Sequence, residues 1–470
     1  MRRFASLAAL TLLAGCATAG PDYHPPAHSV ATEPAATGDF VSAHDAAFVN
    51  EPLPDHWWQL YADPQLDTLV EQALAANTDL RQADANLRKA DAVVRETEAG
   101  RTISTAFEDN INPDAAVLTR PAGSGDHLPG VVEYDLGITA IYPLDLHGKI
   151  KRAIEASRAN RDAVVAARDA VRVSVAAGVA KAYADVCGAN YRLAAADRIV
   201  KLQQETLDAT RRLQRGGRGT AFDVSRAQAA VEASEATLPG FTAQRRGALY
   251  LLATLLGRPP ADYPKQVEQC ATLPTLTRPM PVGDGAALIR RRPDIREAER
   301  TIAADTARIG VAMADLYPDI SLAGSASLAG PLKDIANPIS FGFSLGPLLS
   351  WTFPNRPVVK ARITAAGAQV DADIAGFDST VLTALRQTET ALETYARDRD
   401  EAAALGRARD SAALSAQQAG KLFRFGRGDF LSLLEAQSQL AQAEAADAAQ
   451  RARLADDQIA VFVALGGGWQ

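Results

Sequence analysis

The chain has 470 residues with 49 Lys and Arg against 56 Asp and Glu, a net charge of −7 with both signs mixed along its length, which excludes the basic footprint of a nucleic-acid binder. At 47% hydrophobic it has ample material for a core, and its length leaves room for several units at roughly 150 residues each. The six histidines (His24, His28, His44, His56, His127, His147) all fall in the first third, and no Gly-rich phosphate loop or Gly-x-Ser-x-Gly elbow occurs; the chain reads as a non-enzyme without a cofactor.

Arg2 and Arg3 precede a mostly apolar run, Phe4 to Ala14, laid out like an export signal over 1–15. The run is too short to span a bilayer, which needs roughly 20 apolar residues. Ala14-Gly15-Cys16 resembles a bacterial lipobox, in which Cys16 becomes the lipidated first residue of the mature chain and its thiol is used up as a thioether. Ala17 after it, in place of aspartate, favours the outer membrane within that resemblance. No later window reaches membrane-helix length without charge, so any crossing must use strands or the lipid anchor. Of the remaining cysteines, Cys187 falls in a helix and Cys270 in a loop. They could pair in an oxidising compartment, but the contexts are dissimilar and they are read as unpaired.

The chain repeats itself. "LQRGGRGTAFDVSRAQ" (213–228) lies over "LFRFGRGDFLSLLEAQ" (422–437) at a fixed offset, which also carries Leu256-Gly257 onto Leu465-Gly466. "DLRQADANL" (79–87) lies over "DIREAERTI" (294–302) at an offset about six residues longer. An N-terminal segment 16–63 is followed by repeat 1 (64–257), a linker (258–285), repeat 2 (286–466) and a tail (467–470). Each repeat reads as helix, strand pair, long helix, turn, helix. Capping boxes are expected at Asp79 and Asp294, with Pro293 blocking earlier helix; ligand roles for Asp294 and Arg296 are the alternative.

The strand pairs are expected within 102–142 and 318–351. In "VVEYDLGITAIY" (131–142) every second residue is apolar, and "ISFGFSLG" (339–346) alternates Ile, Phe, Phe and Leu with Ser and Gly. Such alternation fits strands between lipid and lumen. Residues 318–328 are weaker, and 102–112 weaker still because Glu108 and Asp109 break the pattern. Polar Pro/Gly loops, 113–130 and 329–338, join the pairs.

Long helices are expected over 148–215 and 357–424, rods of roughly 100 Å that need lateral support from other helices. The return helices are placed at 221–256 and 429–464. In the second, Ala441, Ala445, Ala448, Ala452, Ala455, Ile459 and Phe462 form a coiled-coil seam. Leu433, Leu440, Asp447, Leu454 and Val461 mark an adjoining face, and two seams imply two neighbours, as in a ring of helices. Between helices stand Arg215-Gly216-Gly217-Arg218-Gly219 and Arg424-Phe425-Gly426-Arg427-Gly428. Glycine permits the chain reversal there and Arg complements the helix dipole; a docking surface is the functional reading.

Four membrane strands cannot close on themselves, and open edges in lipid leave backbone groups unpaired, so strands must be shared among chains. Two chains give a plugged eight-strand barrel and three a twelve-strand one. Three is the reading, because only the wider barrel suits a hollow helical cylinder.

These residues resemble the outer-membrane factors of tripartite efflux pumps, the TolC-like channels, in their lipoprotein branch. The matching stretches are the lipobox with "GPDYHPP", "WWQLYADPQLDTLV" (57–70), "NTDLRQADANLRKA", "YPLDLHGK", "LPGFTAQRRGALYLLATLLGRPP", "RRRPDIREAE", both turn motifs and "LGGGW". The resemblance implies a mainly α fold with a small membrane β-part: two tandem repeats that form, as a homotrimer, a 12-stranded outer-membrane β-barrel on a long periplasmic α-helical barrel. It implies an equatorial belt from 17–63, 258–285 and the C-terminus. Its partners would be a periplasmic adaptor and an inner-membrane transporter, usually of the resistance-nodulation-division type. The turns would form the adaptor-docking tip. The gate above the tip would involve Arg409, Asp410 and Asp208, although Arg409 and Ala413 stand where a related channel carries Leu and Asp. The function implied is a passive exit duct for small molecules. The alternatives are the duct of a type I protein-secretion system and a periplasmic coiled-coil lipoprotein without a pore.

Overall fold

The computed structural model describes residues 18–112, 133–332, 335 and 337–467. Cys16, the segment 1–15 and the loop 113–130 lie outside the described residues. The elements run β1 Phe48–Val49, α1 Pro64–Ala76, α2 Thr78–Ala99, β2 Ser104–Asn112, β3 Glu133–Pro143, α3 Lys149–Arg215, α4 Ala221–Glu235 and α5 Leu238–Leu255. They continue with β4 Met280–Pro281, α6 Gly285–Arg291, α7 Pro293–Ala314, β5 Asp319–Pro331, β6 Phe341–Ser350, α8 Arg356–Arg424 and α9 Phe430–Ala464. The two repeats thus share one order of elements, and α3 and α8 run 67 and 69 residues without a break.

The chain divides into two compact units. The first (1–26, 86–165, 297–377) holds a four-stranded antiparallel sheet in the order β2-β3-β5-β6. Its two repeats meet at the β3–β5 pair, so the two hairpins make one sheet. β2 forms despite Glu108 and Asp109, because a strand is judged by the face it shares with its neighbours. Glu108 falls on the small-residue face, and only Asp109 offends. In the same unit the N-terminal segment passes so close to α7 that a methyl on Gly20 would clash with Gly310 Cα. Arg152 fixes this crossing, donating from Nε to the carbonyl of Ala19 (2.9 Å) and from Nη2 to that of Gly20 (3.0 Å) and to Asp22 (2.9 Å).

The second unit (27–85, 166–296, 378–470) holds the main hydrophobic core. The "WWQLY" stretch is central to it. Trp57 and Trp58 are buried, and Trp57 stacks on Phe462 of α9 with ring centres 4.6 Å apart.

Three local expectations are corrected. The helix starts are not capped by Asp79 and Asp294: Asn77, still extended, accepts from the amides of Asp79 (2.9 Å) and Leu80 (3.1 Å). Asp79 already lies in the first turn, too late to cap it. Asp294 likewise sits inside α7 and pairs with Arg292 (2.6 Å), while Arg296 lies 3.5 Å from the buried Asp169. Second, the helix expected over 221–256 is two, parted at Ala236 and Thr237. Pro239 follows, lacking the N–H that would bond the carbonyl of Glu235. α9 has no such proline and runs 35 residues unbroken. Third, Cys187 and Cys270 are bonded as a disulfide, with Cα atoms 4.9 Å apart. The loop lies along the helix because Asn190, one turn from Cys187, donates through Nδ2 to the carbonyls of Glu268 (3.0 Å) and Cys270 (2.6 Å). Dissimilar local contexts are no obstacle once a loop is strapped to a helix.

Candidate functional site

The sheet of the first unit has two unlike faces. Across its four strands one row reads Phe107, Ile138, Ala326, Phe343, and the rows on either side read Thr105, Ala140, Gly324, Leu345 and Asp109, Leu136, Leu328, Phe341. The alternate rows, on the opposite face, read Ala106, Thr139, Ser325, Ser344 and Glu108, Gly137, Ser327, Gly342. Ser325 and Ser344 hydroxyls hydrogen-bond at 2.8 Å. Large side chains of the first face stand free: Phe343 is 81% exposed, Leu345 76% and Phe107 69%. A soluble sheet would bury such a face, whereas lipid would cover it and water would wet the small polar face.

Below the last rows the character changes. Exposed Tyr142, Tyr317, Trp351 and Phe353 cluster near the ends of β3, β5 and β6, with Trp351 and Phe353 rings 5.2 Å apart. Immediately beyond, Lys149 pairs with Asp315 (2.8 Å) and Asp319 (3.2 Å). Aromatic residues between an apolar band and a charged zone are the arrangement of a membrane interface. This girdle was not singled out from the sequence; four aromatics within three residues of strand ends were the available signal.

The turns between helices are closed the same way in both repeats. Gly217 (φ 72°) and Gly426 (φ 69°) take the left-handed conformation that ends a helix. The amides of Arg218 and Arg427 then reach back to the carbonyls of Leu213 and Leu422, each at 2.9 Å. A methyl on Gly428 would lie 3.0 Å from Leu422 Cβ, so the second glycine eases the close return. Thr220 and Asp223 form a capping box at the start of α4, and their hydrogen bonds hold the Asp223 carboxyl below the usual range. Asp429 caps α9, accepting from the Ser432 amide (2.8 Å), and is lowered by Ser432 in the same way. Arg215, Gly216, Arg218, Arg424 and Arg427 are all exposed, with Gly219 and Gly428 tucked partly in.

Of the residues expected at a gate, the structure brings Arg409 and Asp410 together (2.6 Å) and ties Arg409 to Asp447 of α9 (2.9 Å). Asp447 is buried and also accepts from Arg451 (2.9 Å). Asp208 pairs elsewhere, with Arg211 at 3.7 Å and with Gln204. Asp447 appears in the sequence as the one acid in a heptad series of aliphatic residues, a signal of a buried ion pair that sequence reasoning left unused.

A family model described as outer membrane efflux protein matches residues 69–258 and 286–467, one segment in each repeat. "Nodulation protein T" of Rhizobium leguminosarum bv. trifolii is 29% identical over 464 residues, with 97% of this chain and 96% of the relative covered. "Probable efflux pump outer membrane protein TtgC" of Pseudomonas putida is 27% identical, with 99% and 95% covered. Among solved structures the outer-membrane channel OprN is 34% identical and superposes with a TM-score of 0.86 over 96% of this chain and 99% of its own.

Proposed function

The chain belongs to the outer membrane efflux protein family, and from that premise we propose that three copies form a passive exit duct through the outer membrane for small molecules driven out by an inner-membrane pump. The observation that carries this reading is the sheet. It has one apolar exposed face, one face of Ser, Gly and Ala, and strands β2 and β6 at open edges. In hydrocarbon each unpaired backbone group costs several kcal/mol, so β6 of one copy joins β2 of the next and twelve strands close the wall. The duct needs no cofactor and performs no catalysis; its inner face supplies wetting, and the pump supplies the energy. Relatives named for efflux pumps favour small molecules over exported proteins as cargo.

Cys16 carries the lipid anchor. In support, Ala19, three residues after it, is held near the strand ends: the carbonyl of His147, four residues past β3, accepts from its amide (2.9 Å). The turns at 215–219 and 424–428 dock the periplasmic adaptor, and Asp410 and Asp208 remain candidates for gate charges. The reading is tested by purifying the full chain from outer membranes. A heat-dissociable trimer with single-channel conductance in planar bilayers is expected, and a non-conducting monomer overturns the duct. Cys16→Ser should lose the lipid mass in intact-protein spectrometry and still form trimer; a lipid mass retained by that variant removes the anchor.

A further inference from the structure

The helix turns carry more cations than the fold uses. The first holds Arg211, Arg212, Arg215 and Arg218, the second Lys421, Arg424 and Arg427. Arg211 has Asp208 and Gln228 as partners, and Arg424 donates to the carbonyl of Gly420. Arg212, Arg215, Arg218, Lys421 and Arg427 are exposed, and among the described residues none has a carboxylate within ion-pair distance. The nearby acids Asp223 and Asp429 are instead engaged as helix caps, with Thr220 and Ser432. Two or three of these cations would suffice to complement two helix ends, because the dipole effect fades within the last turn. The rest repel one another for no structural return.

Apolar side chains stand among them. Phe425 is 79% exposed at the apex of its turn, and Phe222, Leu422 and Leu431 are also exposed. The two turns adjoin: a methyl on Gly426 would lie 3.8 Å from the guanidinium of Arg218. The unpaired cations and aromatic rings thus form one patch in each copy. Exposed aromatics among predominantly positive side chains are suited to an interface in which the rings anchor and the charges steer.

We propose that this patch recognises an acidic adaptor face: apolar pockets receive Phe222 and Phe425, and Asp or Glu side chains around them pair with Arg212, Arg215, Arg218, Lys421 and Arg427. The proposal rests on the reading above that the turns are the docking end. Three copies would gather the cations into a ring, whose field steers the partner within a Debye length, a reach that grows as salt is lowered.

The test uses the adaptor identified by cross-linking to the wild-type turns in cells, purified and titrated onto the detergent-solubilised full-length channel by surface plasmon resonance. The association rate should fall about tenfold or more between 50 and 500 mM salt, the range over which steering is screened. Replacing the five cations by Gln should lower the low-salt rate by a similar factor and abolish its salt dependence, in a trimer that forms normally because the changes are exposed. Phe222→Ala with Phe425→Ala should speed dissociation and leave the salt slope intact. If the Gln variant binds as wild type while the Phe variant does not, the acidic partner is refuted and docking at the turns stands. Should neither variant matter, both fall. Loss in the Gln variant of binding to phosphatidylglycerol vesicles, with adaptor binding unchanged, would also overturn the proposal and assign the cations to a membrane surface.

Discussion

Asp457, on α9, keeps its proton to unusually high pH: burial and the neighbouring Asp398 push its pKa up to about 7, against the pull of Arg453. The folded chain therefore binds a proton there that the unfolded chain has released from about pH 4 upward, and the stability this group contributes falls as pH rises from about 4 to 7. Thermal unfolding followed between pH 5 and pH 8 should show a midpoint that drops with pH, and Asp457→Asn should flatten that drop; an equal slope in the variant would refute the assignment. Asp447 represents the opposite case, a buried carboxylate satisfied by two cations, Arg409 at 2.9 Å and Arg451 at 2.9 Å. Asp447→Ala removes charged hydrogen bonds and leaves two guanidinium groups facing each other, a loss of about 2–3 kcal/mol. Asp447→Asn, which keeps the shape but not the charge, should recover part of the midpoint, and equal midpoints for Ala and wild type would contradict the clamp.

At the scale of elements, what the sequence revealed depended on whether one segment carried the information alone. The long helices were legible because nothing in 67 and 69 residues breaks them, and the paired Arg/Gly turns because the repeat shows each twice. β3 and β6 were legible from alternation; β2 read as the weakest strand because Glu108 and Asp109 look alike within it, and only the register with Gly137 and Leu136 separates their faces. The break between α4 and α5 was missed although Pro239 marks it, since the repeat alignment carried the unbroken helix of 429–464 onto 221–256. The disulfide lay beyond reading, because its two cysteines are 83 residues apart and are brought together by Asn190. A cross-link closing a loop of that size stabilises by about 2–4 kcal/mol through the unfolded chain. The Cys187→Ser, Cys270→Ser double variant should accordingly unfold several degrees lower by calorimetry, and an unchanged midpoint would show that the Asn190 strap alone holds the loop.

For the whole molecule, the decisive question is which side of the sheet meets lipid. If Phe107, Ile138, Phe343 and Leu345 form the outer wall, a cation on that face must be buried in hydrocarbon in every copy of the closed assembly. The cost is about 2–4 kcal/mol per chain near the midplane. Phe343→Arg should then deplete the heat-dissociable trimer from outer membranes. The adjacent Ser344→Arg points into the water-filled side, where the charge stays hydrated; it should assemble normally and change only conductance or ion selectivity. In a water-soluble scaffold the order reverses: Phe343 is 81% exposed in the single chain, so replacing it with Arg would be harmless or even solubilising. The two neighbouring substitutions therefore give opposite rankings under the two readings. A native-gel comparison of trimer yield, read beside bilayer conductance, decides between a wall completed by neighbouring copies and a sheet that only ever meets water.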